Sequence, residues 1–300
     1  MLMMVGLPPF QNELLDDSPT FILDIDEIDL PVCKYIELKD IHVCAPPKYF
    51  SLLLFNIRSC RRNFTEFECY FHEYFKNFSC IALVETWLTE DYDNLFSIHG
   101  FRSFNVYRTP SGGGIRLYCK ECLQVTHVPE FSFITDVCEM ITAQVSCNDI
   151  RFVLSVFYHP PSSDHDLNNM FVNLCCEKLR IIQAQGHPMV ACGDFNLNLL
   201  NPMKYGFITE FISCMLELGL YPIVNIPTKY NPENEVTKYS IIDQVWTSMP
   251  TKISNACVFP YGITDHFPVM TSFAFSDAAP KPNIPMKRTF NNKNNDTFAR

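Results

Sequence analysis

Three short apolar runs in the chain end abruptly in a polar residue. The runs over residues 51–56 and 80–85 end in the carboxamide of Asn56 and the carboxylate of Glu85. A third run ends in the carboxylate of Asp194, and Asn196 follows it. Short apolar runs of this kind are typical of buried strands. Because parallel strands joined through a helix end at the same edge of a sheet, we expect these polar ends to lie together.

Three longer stretches have the spacing of a buried helix face. The first lies between the first two strands and carries aromatic residues that we interpret as core and not as a surface for base stacking, namely Phe67, Tyr70, Phe71, Tyr74, Phe75 and Phe78. The second is predicted to begin near Asp164, to end by Gly186 and to turn these side chains inward: Leu167, Met170, Phe171, Leu174, Ile181 and Ile182. The third stops at Gly219 and carries Ile208, Phe211, Ile212, Met215 and Leu216.

Further β-like runs separated by turn residues lie between Phe101 and Tyr158, and they favour a meander. Gly112, Gly113 and Gly114 lie between the first two of these runs. Three successive glycines can cradle phosphate, but no helix start and no Lys-Ser/Thr pair follows them, so a hairpin turn is favoured. Two more strands, over residues 239–247 and 253–259, are predicted to precede the last motif of the chain.

The apolar content is that of a folded domain, with 47% hydrophobic residues, 26 Phe and 13 Tyr. We predict this domain over residues 46–275. Residues 1–45 alternate acidic and apolar side chains and are interpreted as a flexible acidic arm, with an acidic docking motif as the alternative. Residues 276–300 are rich in Pro, Asn and Lys and have the composition of a linker, which favours a chain that once continued into something larger.

The 14 cysteines are scattered along the chain, and no cationic segment precedes an apolar leader at its start. We therefore expect reduced, mostly buried thiols in an intracellular protein of the nucleus or cytoplasm, and not a secreted protein. Cys119 and Cys122 form a lone half of a zinc site, so zinc is disfavoured. No apolar run approaches the roughly 18 residues that span a bilayer, so no membrane partner is expected.

The formal net charge of −10 disfavours extended contact with nucleic acid, because phosphate binding depends on Lys and Arg. Residues 46–275 contain 22 acidic and 16 basic side chains, so this block is acidic by 6. Any nucleic-acid surface must therefore be a local patch. The basic residues that could gather on one rim are Lys48, Arg58, Arg61, Arg62, Arg102, Arg108 and Arg116.

Polar residues that leave the apolar runs form one chemical set, namely Asn56, Glu85, Tyr158, Asp194, Asn196, Asp243, Asp265 and His266. Each of them alone has a plain interpretation as a cap or a surface residue. Together they offer carboxylate and carboxamide oxygens with one imidazole. Such a set suits a hard cation such as Mg²⁺, with Mn²⁺ as an alternative.

Six motifs resemble the endonuclease/exonuclease/phosphatase superfamily in wording and order. They are Phe55-Asn56-Ile57-Arg58-Ser59, Val84-Glu85-Thr86-Trp87-Leu88, Tyr158-His159-Pro160-Pro161, Gly193-Asp194-Phe195-Asn196, Ser240-Ile241-Ile242-Asp243 and Thr264-Asp265-His266-Phe267-Pro268. Four variants, Glu-Thr-Trp-Leu, Gly-Gly-Gly, Tyr-x-Pro-Pro and Pro227-Thr228-Lys229, are most similar to the apurinic-type endonuclease domains of non-LTR retrotransposons. The resemblance covers residues 50–275. It implies an α/β fold, a four-layer sandwich in which two packed mixed β-sheets are flanked by helices.

The resemblance also implies Mg²⁺-dependent hydrolysis of a phosphodiester in DNA, which leaves a 3′-hydroxyl nick as in target-primed retrotransposition. By the matched motifs, Glu85 would hold the metal, with Asn56 beside it and Asp265 supporting the metal end of the site. Asp194 would align and deprotonate the attacking water. Hydrolysis of a phosphodiester needs an activated water, charge neutralisation and help for the leaving oxygen, and this set supplies all three.

The remaining matched positions would handle the phosphate. His266, oriented by Asp243, would donate to a phosphate oxygen, whereas Asn196 and Tyr158 would bind the scissile phosphate. Thr228, with Asn56, would contact the substrate. The implied partners are DNA and, in a longer polyprotein, a C-terminal reverse transcriptase.

Three positions depart from the family pattern. Ile57-Arg58 replaces the metal-side aspartate of apurinic repair enzymes and disfavours abasic-site repair. His159 replaces an arginine that often precedes the two prolines, and Gln244 replaces a frequent His, Asn or Tyr.

Two other functions stay open at this point. One is a superfamily phosphatase acting on a small or lipid phosphate, which would need a basic pocket. The other is a degenerate, non-catalytic binding module, against which the intact polar set argues. No polymerase motif lies in the 300 residues, so we expect either a fragment of a longer element protein or a free-standing relic.

Overall fold

Two mixed β-sheets packed face to face form the centre of the molecule, and helices cover their outer faces. The computed structural model describes residues 30, 32–147, 150–233 and 238–276. The four layers are therefore helix, sheet, sheet and helix, which confirms the predicted α/β sandwich.

Short strands and few helices make up the described part of the chain. In its first half the strands are β1 (Lys34–Tyr35), β2 (Phe50–Asn56), β3 (Cys80–Val84), β4 (Phe101–Val106), β5 (Ile115–Lys120), β6 (Gln124–His127), β7 (Phe133–Ile134) and β8 (Glu139–Cys147). In its second half they are β9 (Ile150–Tyr158), β10 (Met189–Asp194), β11 (Tyr221–Pro222), β12 (Lys229–Tyr230), β13 (Tyr239–Ser240), β14 (Asp243–Thr247), β15 (Ile253–Val258) and β16 (Val269–Phe273). The α-helices are α1 (Ile41–Cys44), α2 (Cys60–Phe71), α3 (His165–Gln183) and α4 (Gly206–Glu217).

The two sheets have the same arrangement at their centres. The first has the strand order β1-β15-β16-β2-β3-β5-β4, and the second has the order β11-β14-β10-β9-β8-β6, with β7 paired to β8. In the first sheet β2 and β3 are parallel neighbours, and in the second β9 and β10 are. The carboxyl ends of each pair therefore lie side by side, with Asn56 opposite Val84 and Tyr158 opposite Asp194.

Alternate residues of β2 explain why its whole length is apolar. Leu52 and Leu54 face the core between the sheets, whereas Leu53 and Phe55 belong to the cluster under α2. The rings of Phe55 and Phe67 stack with centroids 5.8 Å apart. The predicted aromatic stripe is therefore core, although α2 ends at Phe71 and a 3-10 helix, His72–Asn77, follows it.

The helix α3 begins after Asp164, whose side chain accepts the backbone N–H of Asp166 as an N-cap, as the sequence predicts. Part of its predicted inward face is wrong. Leu167, Met170 and Ile181 are exposed, with 37%, 56% and 44% of their surface accessible. Phe171 and Ile182 are buried as predicted, and the helix also buries residues from a shifted face that were not predicted, namely Val172, Cys175, Cys176 and Leu179. The pattern of α4 is predicted more closely, and Gly219 follows it with a φ of 67°.

Two predictions about strands are corrected. The predicted meander is wrong because the chain crosses between the sheets after β5, and β6 to β9 belong to the second sheet. The glycine turn between β4 and β5 is nevertheless the predicted hairpin. The strand β16 was not predicted, although its five residues are all buried between β15 and β2.

The expected acidic arm is packed where the structure describes it. The strand β1 pairs in parallel with β15, and α1 buries Ile41 and Cys44 under the first sheet. The earlier part of the arm, residues 1–29 and 31, and the linker-like residues 277–300 lie outside the described residues.

The cysteines are mostly free and buried, as predicted, with one correction: Cys176 and Cys214 form a disulfide that joins α3 to α4. Cys192 is fully buried, and burial raises the pKa of its thiol, so it is a core residue and not a nucleophile. None of the helices in the described ranges is long and apolar enough to cross a bilayer.

Candidate active site

Strand ends from both sheets meet at one point. The segments that follow β2, β3 and β10 contain five non-glycine residues with positive φ, namely Arg58 (49°), Ser59 (88°), Glu85 (53°), Trp87 (52°) and Asn196 (48°). Such backbone conformations are uncommon outside glycine and cost about 1–3 kcal/mol each. They are concentrated at functional sites, and their position here marks the meeting point as the candidate site.

Asn56 links carboxylates that belong to different sheets. Its Nδ2 lies 2.9 Å from Glu85 Oε1 and 2.9 Å from Asp194 Oδ2. Its Oδ1 accepts the backbone N–H of Arg58 at 3.1 Å. The amide orientation follows from this network, because only the NH₂ group can donate to two carboxylates. In this structure the oxygen of Asn56 accepts one hydrogen bond and its side chain is buried, and its predicted role as a metal ligand and substrate contact stays a prediction.

A second group lies on the other side of Asp194. The Nδ1 of His266 is 2.9 Å from Asp243 Oδ2, and its Nε2 is 3.9 Å from Asp194 Oδ2. All three side chains are buried. The predicted orientation of His266 by Asp243 is thus present, and the free edge of the imidazole faces the carboxylate of Asp194.

Thr228 supports this group from behind. Its hydroxyl donates to Asp243 Oδ2 at 2.9 Å and accepts the backbone N–H of Asp243 at 3.0 Å. Because Thr228 is 0% exposed, the prediction that it contacts substrate is corrected: it holds Asp243 in place.

The two phosphate-binding candidates border the same carboxylates. Asn196 donates its backbone N–H to Asp194 Oδ1 at 3.0 Å and one side-chain N–H to the carbonyl of His159 at 2.6 Å. Tyr158 is buried opposite Asp194 and is close to Glu85. Burial raises the pKa of Tyr158, and the charges of Glu85 and Asp194 add to this rise, so its hydroxyl keeps its proton as a donor.

Asp265 is engaged by two cations. Its Oδ1 is 2.6 Å from Arg58 Nη1, and its Oδ2 is 3.2 Å from Lys229 Nζ. Burial would raise the pKa of Asp265, but His266, Lys229 and Arg58 together hold it below its usual value. Both oxygens of Asp265 are therefore paired with cations in this structure, and its expected support of the metal end stays a prediction.

Acid–base properties of the centre follow from burial and charge. Burial raises the pKa of Asp194 to about 7, and the charge of Asp243 adds to this rise, whereas His266 and Asn56 oppose it. Burial alone would lower the pKa of His266, but Asp243 and then Asp194 raise it above its usual value. Perturbed groups of this kind that face each other are the pattern expected of an acid–base site.

The residues fit a divalent cation. Asp194, Asp243 and His266 form a buried group whose ligand atoms lie within 4.8 Å of one another, and no other group of three or more His, Cys, Asp or Glu residues does so within the described ranges. Asp243 Oδ1 is buried without a hydrogen-bond partner in this part of the chain. A carboxylate-rich set with one unpartnered oxygen suits an oxygen-preferring ion. Glu85 and Asp265 lie outside this group, and their expected roles at the metal stay a prediction.

One buried acid beside the site was not predicted from the sequence. Glu139 is 0% exposed and lies opposite Tyr158 at the start of β8. Its carboxylate binds Arg108 and the backbone N–H of Gly114. Burial raises the pKa of Glu139, whereas Gly114 and Arg108 lower it. The one signal for Glu139 in the sequence is a polar residue at the start of an apolar strand, whereas the predicted site residues all follow strand ends.

The predicted basic rim is reduced in the structure. Arg116 is 2% exposed and binds Asp93, and Arg102 binds two backbone carbonyls, so neither is free for phosphate. Arg61 and Arg62 remain exposed and stack over the rings of Tyr92 and Trp87.

Comparison with known protein families gives one match. The model of the endonuclease/exonuclease/phosphatase family matches residues 53–266. A search of curated protein sequences gave no match.

Solved structures with the same fold include nucleases and a phosphatase. The endonuclease domain of TRAS1, a telomere-specific non-LTR retrotransposon, has a TM-score of 0.57 and 13% identity over 75% of this chain and 98% of its own. The catalytic domain of APE2 from Xenopus laevis has a TM-score of 0.58 and 15% identity over 78% of this chain and 94% of its own. The 3′ phosphatase NExo from Neisseria, bound to a product DNA hairpin, has a TM-score of 0.58 and 14% identity over 75% and 99%.

Proposed function

Because the chain belongs to the endonuclease/exonuclease/phosphatase family, we propose that it is a Mg²⁺-dependent DNA endonuclease that leaves a 3′-hydroxyl nick. Target-primed retrotransposition uses such a nick to start reverse transcription, and a C-terminal reverse transcriptase in a longer polyprotein would be the partner that extends it.

One observation carries this proposal. Asp194, from the second sheet, lies between the Asn56–Glu85 pair and the His266–Asp243 pair. A carboxylate in this position can hold a water molecule beside a phosphate. The imidazole on one side can donate a proton to a phosphate oxygen, and a cation held by the acidic groups can neutralise charge on the phosphate.

The residues would act as follows. Asp194 would accept the proton of the attacking water, and His266, kept protonated by Asp243, would donate to a phosphate oxygen. Tyr158 and the second side-chain N–H of Asn196 would bind the same phosphate. Glu85, with the buried carboxylates of the centre, would hold Mg²⁺ or Mn²⁺. When bound, such an ion neutralises charge that develops on the phosphate.

Plasmid nicking tests this proposal directly. The full chain should convert supercoiled plasmid to the nicked form with Mg²⁺ but not with EDTA. Asp194→Ala and His266→Ala should each be slower by about 10²-fold or more, because each removes a group that acts in the transition state. The matched controls are Asp136→Ala and His42→Ala, which remove exposed residues of the same types and should nick like the wild type.

The same assay distinguishes an endonuclease from a phosphatase and from a non-catalytic binding module. Nicked ends that DNA polymerase extends without further treatment would support a 3′-hydroxyl product. Release of inorganic phosphate from a small phosphoester or a 3′-phosphate end, without nicking, would instead identify a phosphatase. No wild-type activity beyond that of Asp194→Ala on either substrate would overturn catalysis and leave a binding module.

A further inference from the structure

Glu139 connects the two sheets beside the site. It is the first residue of β8 in the second sheet, and its side chain is fully buried. Its Oε2 accepts the backbone N–H of Gly114 at 2.6 Å, and its Oε1 lies 3.2 Å from Arg108 Nη1. Both partners belong to the loop between β4 and β5 of the first sheet.

The loop approaches Glu139 too closely for any side chain. A Cβ atom on Gly113 would lie 2.1 Å from Glu139 Oε1, and one on Gly114 would lie 2.6 Å from Thr86 Oγ1. Both glycines have positive φ, 72° and 88°. Gly112, the first of the three, has nothing within 4 Å of such an atom. Two of the three glycines are therefore required by contact, and the third is not.

The same loop holds the segment that follows Glu85. The carbonyl of Gly114 accepts the N–H of Thr86 at 3.1 Å, and that of Gly113 accepts the N–H of Trp87 at 2.9 Å. On the opposite side, the N–H of Ser59 donates to the carbonyl of Glu85 at 2.8 Å. Glu85 and Trp87 both have left-handed backbones, which persist only where the surroundings fix them.

Trp87 also contacts the carboxylate of Glu85. Its indole Nε1 lies 3.3 Å from Glu85 Oε2, while Asn56 occupies Glu85 Oε1. A continuous set of contacts therefore runs from Glu139 through the glycine turn and Trp87 to the carboxylate of Glu85.

We propose that Glu139 is a positioning residue for the active site: by binding the Gly113–Gly114 turn, it fixes the left-handed segment that directs the Glu85 carboxylate towards Asn56. This inference deepens the proposed function and rests on it for the role of Glu85 as a metal ligand. Glu139 touches neither substrate nor metal in this scheme.

The first measurement needs neither metal nor activity. The chain contains 2 tryptophans, so a ¹H–¹⁵N spectrum shows two indole signals, assigned with Trp87→Phe. Gly113→Ala should move the Trp87 signal and leave that of Trp246, which is bonded to Gln244 elsewhere, in place. Glu139→Gln, which keeps an oxygen for Gly114 but loses the charge opposite Arg108, should move it in the same direction by less. Gly112→Ala is the matched control and should move neither signal.

The second measurement is metal binding and kinetics. The Kd for Mn²⁺ alone, from its electron paramagnetic resonance signal, should rise about 10–100-fold in Gly113→Ala, as when partners that orient a metal ligand are lost. The Mg²⁺ concentration for half-maximal nicking should rise by the same factor, with the KM for DNA little changed. Gly112→Ala should match the wild type in both.

The outcomes separate this inference from the proposed function. If folded Gly113→Ala and Glu139→Gln keep the wild-type Trp87 signal and Mn²⁺ affinity, the positioning role is overturned. If Gly113→Ala does not fold, the same criteria applied to Glu139→Gln decide. If the wild type nicks no DNA but Gly113→Ala still moves the Trp87 signal and raises the Kd for Mn²⁺, the positioning role is supported and only the nuclease function is overturned.

Discussion

The Thr228 hydroxyl makes three hydrogen bonds beside Asp243, the carboxylate that binds His266. It donates to Asp243 Oδ2 and also accepts the backbone N–H groups of Ile242 and Asp243. Because this hydroxyl both donates and accepts hydrogen bonds, it holds the side chain and the backbone of Asp243. Loss of this hydroxyl would leave buried groups without a partner, and each such group costs about 1–3 kcal/mol.

Thr228→Val should therefore lower the free energy of unfolding by about 1–3 kcal/mol and lower kcat for nicking, while the KM for DNA is unchanged. Chemical denaturation and steady-state kinetics measure the two effects. Thr271→Val is the matched control: Thr271 is equally buried, and its hydroxyl has no partner among the described residues, so its loss should be neutral or stabilising. A raised KM with unchanged kcat in Thr228→Val would place Thr228 on the substrate after all.

Single residues were predictable only where chemistry and motif coincide. Asp194, Asp243 and His266 were identified because polar residues at strand ends matched a known order of motifs, and the structure brings them together. The donor role of Asn56 was not predictable, since an amide can present either end and only its two carboxylate neighbours decide. Contacts such as that of Glu139 with Gly114 depend on how two sheets pack, which local sequence does not specify.

The disulfide between α3 and α4 is the strongest connection between elements on the outer face of the second sheet. It joins Cys176 and Cys214, which are 38 residues apart, and it closes a loop that contains β10 and Asp194. A cross-link of this span restricts the unfolded chain and stabilises a protein by about 2–4 kcal/mol.

A thiol reductant should therefore lower the Tm of the wild type but not that of Cys214→Ser, which already lacks the bond. Differential scanning fluorimetry with and without reductant measures this. Cys175→Ser is the matched control, because Cys175 is buried next to Cys176 but free, and its Tm should still respond to reductant. If mass spectrometry after alkylation under denaturing conditions finds 14 free thiols in the untreated protein, the bond is absent.

Strands and helices were predictable where the local spacing of hydrophobic residues determines them. The assignment of a strand to one of the two sheets was less predictable. The buried runs ending at Asn56, Glu85 and Asp194 and the aromatic stripe of α2 follow from alternation and helical spacing. The division of β4 to β9 between two sheets does not, because each strand has the same local pattern in either sheet. The shifted face of α3 has a similar cause, since α4 packs against it and covers Cys176.

Stability of the whole molecule should depend on pH through the buried centre. The pKa of Asp194 is raised to about 7 in the folded protein. Between about pH 4 and 7 the folded protein therefore holds a proton on this carboxylate, whereas the unfolded chain does not. The free energy of unfolding therefore falls as pH rises through this range, by at most about 1.4 kcal/mol per pH unit. The raised pKa of His266 acts in the same direction, and the lowered pKa of His159, caused by burial, acts in the opposite one.

Asp194→Asn should remove the first of these contributions. In EDTA, the stability of the variant relative to the wild type should increase as pH rises from 4.5 to about 7 and then stay level. Urea denaturation at a series of pH values measures this difference, in which the contribution of His159 cancels. Parallel curves for the two proteins would contradict the raised pKa of Asp194.

The five residues with positive φ around the site have a consequence for the stability of the fold. At about 1–3 kcal/mol each, they cost about 5–15 kcal/mol together, which is comparable to the whole net stability of an ordinary domain. Glycine at any of these positions would relieve part of that cost at once. Glycine at these positions would make folding easier but would remove side chains that border the site, including that of Glu85, the proposed metal ligand.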